Sequence, residues 1–188
     1  MAVYIIGMTG ASGSILGVRA LEALRTIPDV TTHLVMTEQA KRTLTLETDL
    51  KAQDVERLAN VVHDERDLAA AISSGSFRTD GMLVIPCSMK SAAAIAYSMN
   101  DTLLVRAADV CLKERRRLVL SVRETPLHAG HLRILTRLAD LGAIIVPPIA
   151  GFYHKPKTVD DIVNHAVGKA LDALGVRTDL FKRWSGAG

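Results

Sequence analysis

Val3-Tyr4-Ile5-Ile6-Gly7-Met8-Thr9-Gly10-Ala11-Ser12-Gly13 is the stretch on which the fold turns. Val3–Met8 is continuously apolar, which reads as a strand buried on both faces; a strand wet on one face would alternate. Glycines follow at positions 10 and 13, with Gly17 one helical turn on. They let the backbone bend sharply and approach a ligand. A helix over Ser14–Arg25 comes next, and amides free at its start would attract an anion. No Lys-Ser/Thr pair follows, so this is not a P-loop, and the GxxGxxG spacing departs from the dinucleotide GxGxxG. The loop alone therefore points either to an anion or nucleotide at a βα turn, or to a tight turn that only packs the helix. Glu38 stands where a nicotinamide-binding protein places its ribose-binding acid, so that reading stays open here.

Outward from this turn, short apolar runs alternate with amphipathic segments. Strands are expected over His33–Thr37, Met82–Pro86, Arg117–Val122 and Ala143–Val146. Helices are expected over Glu38–Thr45, Lys51–Asn60, from about Ser88, and over Leu103–Arg116, Leu127–Leu141 and Thr158–Leu174. The pattern predicts an α/β fold: a three-layer Rossmann-like or flavodoxin-like parallel sheet with helices on both faces. Ligands of such sheets sit beyond the carboxyl ends of the strands. Thr9–Gly13, Thr37, Cys87–Ser91, Arg123–Glu124 and Pro147–Tyr153 then matter most.

The chain of 188 residues suits one domain, with a tail from about position 175. At 48% hydrophobic residues it can bury a core, which argues against disorder. A net charge of +3 is too mild to imply nucleic acid but suits a small anionic ligand. Two cysteines make neither a disulfide framework nor a zinc site, so a reducing cytoplasm is expected. The N-terminus lacks the basic region of a signal peptide, and the apolar runs fall short of a membrane span, so no membrane is expected.

Further blocks narrow the reading. They are Glu47-Thr48-Asp49, Ser73-Ser74-Gly75-Ser76-Phe77, Pro86-Cys87-Ser88-Met89-Lys90, Arg106–Val110 running into Leu112–Arg116, Arg123-Glu124-Thr125-Pro126-Leu127, and Phe152-Tyr153-His154. With the TGASG turn, this set resembles the UbiX/Pad family of flavin prenyltransferases from about Val3 to Trp184. The related decarboxylases of peptidyl cysteine carry a catalytic His and an Asn in the loop that here reads PCSMKS, which argues for the prenyltransferase branch.

The resemblance implies metal-free transfer of a prenyl group from dimethylallyl monophosphate to reduced FMN. The product, prenylated FMN, would pass to a UbiD-type decarboxylase. It implies catalytic roles for Ser12, Glu47, Glu124 and Lys113. It places FMN against Gly10, Ala11, Ser12, Thr37, Ser88, Met89, Lys90, Ser91 and Arg123. It gives the allylic phosphate to Arg106, Lys113, Tyr153 and Lys169 and the allylic cation to the face of Trp184; the family more often has Arg where Lys169 stands. It also implies trimers assembled into a dodecamer.

Plainer readings stand beside these. Ser12 could cap a helix, Glu47 could be a surface acid, and Arg123–Glu124 could be a surface pair worth under about 1 kcal/mol. Trp184 could anchor the tail. Arg115–Arg117 reads as a solvated helix end, His128 and His131 as surface packing, and Cys87 as a packing residue. An FMN-binding accessory subunit of a hydroxyarylic or phenylacrylic acid decarboxylase is the alternative function.

Overall fold

A computed structural model describes residues 1–184 and 186. Residues 185, 187 and 188, the end of the expected tail, lie outside the described residues. The elements are β1 (Ala2–Met8), α1 (Ser14–Arg25), β2 (Val30–Met36), α2 (Glu38–Glu47), α3 (Ala52–Glu56), β3 (Val61–His63), a 3-10 turn (Ala71–Ser73), β4 (Gly81–Cys87), α4 (Met89–Ala96), α5 (Leu103–Lys113), β5 (Arg117–Val122), α6 (Ala129–Asp140), β6 (Ile144–Ile145) and α7 (Val159–Leu174). The six strands form one parallel sheet in the order β3-β2-β1-β4-β5-β6, as the α/β pattern predicts.

The period of two along each strand builds the two cores. Tyr4, Ile6 and Met8 of β1, with Leu83 and Ile85 of β4, face α1 and α7. Ile5, Met82 and Val84 face α4 and α5. Each fully buried Leu or Ile contributes about 1.5–3 kcal/mol, so burial on both sides holds the strands in register. Gly17 lets α1 lie against the sheet: a Cβ there would come within 2.6 Å of Met8 Cε and 2.7 Å of Ile85 O.

Helix starts follow from side-chain caps. Thr37, Ser88, Thr102 and Thr158 each accept an amide hydrogen bond from the third residue on, and Asp161 completes a capping box with Thr158. Such a cap is worth about 1 kcal/mol.

Some boundaries differ from expectation. Thr37 caps α2 instead of closing β2. The helix expected over Lys51–Asn60 stops at Glu56. Asn60 is held instead at the sheet, its Oδ1 accepting from Thr32 N at 2.8 Å and from the Thr32 hydroxyl at 3.1 Å. That contact starts β3, a strand too short and too exposed to show in the apolar pattern. Nor is Arg115–Arg117 a solvated helix end. Arg116 donates to Gly75 O at 2.6 Å and Phe77 O at 2.7 Å, and Arg117 donates to Leu174 O at 3.1 Å, so two of the three pin backbone carbonyls.

Candidate active site

Four neighbouring strands, β2, β1, β4 and β5, end side by side at Met36, Met8, Cys87 and Val122. The chain winds away from β1 in opposite directions towards β2 and β4, and a crevice opens at that switch point. Buried Thr9 joins its two walls. Its hydroxyl donates to Pro86 O at 2.8 Å and accepts from Ser88 N at 2.8 Å.

Most of the expected flavin residues rim this crevice. Gly10, Ala11 and Ser12 form the β1–α1 turn. A Cβ on Gly10 would come within 2.5 Å of Gln39 Cβ, so α2 can lie against the turn only because position 10 is glycine. Thr37 N donates to Met8 O at 3.0 Å, and the Thr37 hydroxyl accepts from Ala40 N at 3.1 Å. Ser88 begins α4, accepting from Ser91 N at 3.2 Å, with the Lys90 side chain exposed beside it. Arg123 N donates to Cys87 O at 3.0 Å, which fixes the start of the Arg123–Glu124 segment while both side chains stay exposed.

Glu47 reaches back from the end of α2 to this turn. Its carboxylate accepts from Gly13 N at 2.9 Å and from Ser14 N at 2.8 Å. Gly13 supports this with a left-handed backbone, φ 100°. Burial pushes the Glu47 carboxyl up, but the Ser12 hydroxyl and the Ser14 and Gly13 amides outweigh it and hold it below the usual range. Glu47 is thus an exposed acid whose carboxylate is nevertheless fixed on the turn. The Gly13 and Ser14 amides, expected to be free for an anion, are taken by this carboxylate of the protein itself. At the first turn of α4 the Ser88 hydroxyl accepts from Ser91 N and donates to the Ser91 hydroxyl at 3.1 Å.

Tyr153, from the loop before α7, and Trp184, from the segment after it, form a second cluster against α7, the helix that carries Lys169. The Tyr153 and Trp184 rings meet edge to face at 5.8 Å. The Tyr153 hydroxyl lies 3.2 Å from Nε2 of His165, one helical turn before Lys169.

Arg106 and Lys113 do not join either group within a chain. Arg106 donates to Ser73 O at 3.0 Å and to Asp109 at 3.1 Å. Lys113 pairs with Glu114, above Gly75. It precedes β5, whose length puts it roughly 20 Å from the Arg123 end of the sheet. Within one chain, then, Arg106 and Lys113 are engaged with partners of their own, and Lys113 stands at the far end of β5 from Arg123.

Glu38 is an exposed residue paired with Lys41 at 3.1 Å, which removes the nicotinamide argument. Cys87 is wholly buried, and burial pushes its thiol up to about 12, as a packing residue requires. Among the described residues no group of three or more His, Cys, Asp or Glu could hold a metal ion, and no helix is long and apolar enough to cross a membrane. The tie that Thr9 makes to Pro86 and Ser88, the place of His165 and the capping role of His128, whose Nδ1 accepts from Gly130 N at 3.0 Å, were not legible in the sequence. Only Thr9 carried a signal, its place directly after β1.

The chain matches the Flavoprotein family over residues 3–171. It is 56% identical to the flavin prenyltransferase UbiX of Escherichia coli K12 over 97% of this chain and 98% of that protein. The crystal structure of AnUbiX (PadA1) in complex with FMN and dimethylallyl pyrophosphate is similar with a TM-score of 0.97 and 48% identity, covering 100% of this chain and 99% of that one. A dodecameric FMN-dependent UbiX-like decarboxylase of Escherichia coli O157:H7 gives 0.96 and 53%, covering 98% of this chain and 100% of that one. With the crevice at the switch point and the motif blocks along its rim, these likenesses place the chain in the UbiX/Pad family of flavin prenyltransferases, within the flavoproteins.

Proposed function

We propose that this protein transfers the dimethylallyl group of dimethylallyl monophosphate to reduced FMN, releasing phosphate and prenylated FMN for a UbiD-type decarboxylase. The observation that carries the reading is the Glu47 carboxylate held on the Gly13 and Ser14 amides of the β1–α1 turn, next to Ser12, in a chain 56% identical to a named flavin prenyltransferase. Reduced flavin supplies a nucleophilic N5, and the allylic phosphate supplies the electrophilic carbon.

The chain binds, orients and handles protons. Ser12 and Glu47 hold and move the proton at N5, a role worth roughly 10²–10⁴-fold. Ser88–Ser91 take the FMN phosphate, while Gly10, Ala11, Thr37 and Arg123 hold the rest of the flavin. Tyr153 and Lys169 steady the departing phosphate as its charge grows, and Glu124 manages its proton. Fixed groups do this without reorganising. The face of Trp184 favours positive charge on the allylic carbon.

Arg106 and Lys113 serve the site of a neighbouring copy in a homo-oligomer, as trimers within a dodecamer. Leu46, Ile149, Phe152 and Val159, each 71–77% exposed, offer apolar surface for that contact. The whole chain acts as one flavin-binding unit in the cytoplasm.

The test is transfer of the product. Protein, reduced FMN and dimethylallyl monophosphate are incubated anaerobically, the protein is filtered away, and the filtrate is added to a flavin-free UbiD-type decarboxylase. Decarboxylation started by the filtrate supports the proposal. Activity that needs the protein itself to be present favours the accessory-subunit alternative.

A further inference from the structure

His165 lies at the centre of the α7 cluster and is used by none of the steps above. It is only 6% exposed. Its Nε2 is 3.2 Å from the Tyr153 hydroxyl. Its other sides are filled. The His154 ring stacks on it at 4.9 Å, and Phe181 meets it edge-on at 5.0 Å. Gly151 lies so close that a Cβ there would come within 2.7 Å of the imidazole. Its Nδ1 is buried without a hydrogen-bond partner.

These contacts decide the tautomer. A neutral imidazole carries one N–H. On Nδ1 that proton would be a buried donor with no acceptor, a costly arrangement. On Nε2 it meets the oxygen of Tyr153. Burial, then His154 and Lys169, hold the imidazole below its ordinary pKa, so the ring is neutral near pH 7. With Nε2–H donating to the phenol oxygen, the proton of Tyr153 turns away from His165. Tyr153 is 45% exposed, so that proton faces the open side of the cluster.

We propose that His165 is a positioning residue, whose Nε2–H fixes the Tyr153 phenol so that its own proton points at the phosphate of the allylic substrate. This rests on the assignment of Tyr153 to that phosphate under Proposed function. Glutamine at position 165 could also donate to the phenol oxygen; leucine could not.

The test titrates dimethylallyl monophosphate calorimetrically into protein loaded with oxidised FMN, which cannot turn over. FMN affinity is measured separately by flavin fluorescence. His165→Leu is expected to weaken allylic phosphate binding about 3- to 10-fold, the loss of one hydrogen bond, with FMN affinity unchanged. His165→Gln should restore it to within about twofold. In a Tyr153→Phe background, His165→Leu should add no further loss. His165→Met replaces the leucine variant if that unfolds. A further independent loss in the double variant overturns the inference, as does a fall in FMN affinity alongside the phosphate. So does wild-type binding by His165→Leu where Tyr153→Phe is weakened. Wild-type binding by Tyr153→Phe would instead overturn the phosphate assignment beneath it.

Discussion

The carboxylate of Glu47 lies 2.8 Å from the amide of Ser14, the first residue of α1. A residue at the end of one helix thereby caps the start of another and comes beside Ser12. One contact does two jobs: it closes the glycine turn and holds a carboxylate at the crevice.

Replacing Glu47 should therefore cost stability and turnover together. Glu47→Ala leaves the Gly13 and Ser14 amides without their acceptor and should destabilise the fold by about 1–3 kcal/mol, read by thermal unfolding. Turnover should fall at least about 100-fold. The carboxyl's folded pKa lies below its unfolded value. Its stabilisation is thus complete above the ordinary carboxyl range and fades as pH falls through the lowered value. The alanine variant should lose that part of the acid dependence.

The FMN phosphate is assigned to the first turn of α4. Lys90→Ala combined with Ser88→Ala should weaken FMN binding about 10- to 100-fold, because charge-assisted hydrogen bonds are lost. Riboflavin, which lacks the phosphate, should bind both proteins alike. A fluorescence titration showing equal losses for the two flavins would place the phosphate elsewhere.

Gly17→Ala tests the close approach of α1 to the sheet. The added methyl meets Ile85 O, a backbone atom that cannot move aside. Thermal unfolding should show a loss of about 1–3 kcal/mol, despite the better helix propensity of alanine.

His33 Nδ1 and His63 Nε2 lie 2.9 Å apart and tie the edge strand β3 to β2. Burial lowers both pKa values, and His63 lowers that of His33 further. The unfolded chain then takes up protons first on acidification. Stability from this pair is full above the ordinary histidine range and is lost as pH falls through and below it. His63→Val should flatten the dependence of the unfolding midpoint over that range.

Lys113 offers a test of a shared site. If it serves a neighbouring copy, oligomers reassembled from Lys113→Ala and Arg123→Ala chains should regain activity that each variant alone lacks, since some sites then hold both wild-type residues. No recovery in oligomers shown by mass to be mixed would confine Lys113 to a role in its own chain.

How much the sequence disclosed depended on whether a feature was local. Val3–Met8 and Met82–Pro86 were legible because burial on both faces leaves unbroken apolar runs. Arg123 and Glu124 were legible by their place after such a run. Glu47 was known only by likeness to relatives, because its partners at Gly13 and Ser14 are 34 and 33 residues away and nothing near it marks the contact. β3 was hidden because Val61 and Val62 are exposed, so it carries no buried pattern. His165 was one scattered histidine among six until Tyr153 folded onto it.

The most direct measurement is the mass of the flavin itself. Purified protein is incubated without oxygen with reduced FMN and dimethylallyl monophosphate, and the extracted flavin is weighed by mass spectrometry. A flavin heavier than FMN by one prenyl unit, formed by the wild type and absent with Glu47→Ala, is the predicted result. Unmodified FMN from folded, flavin-binding wild-type protein would contradict the account.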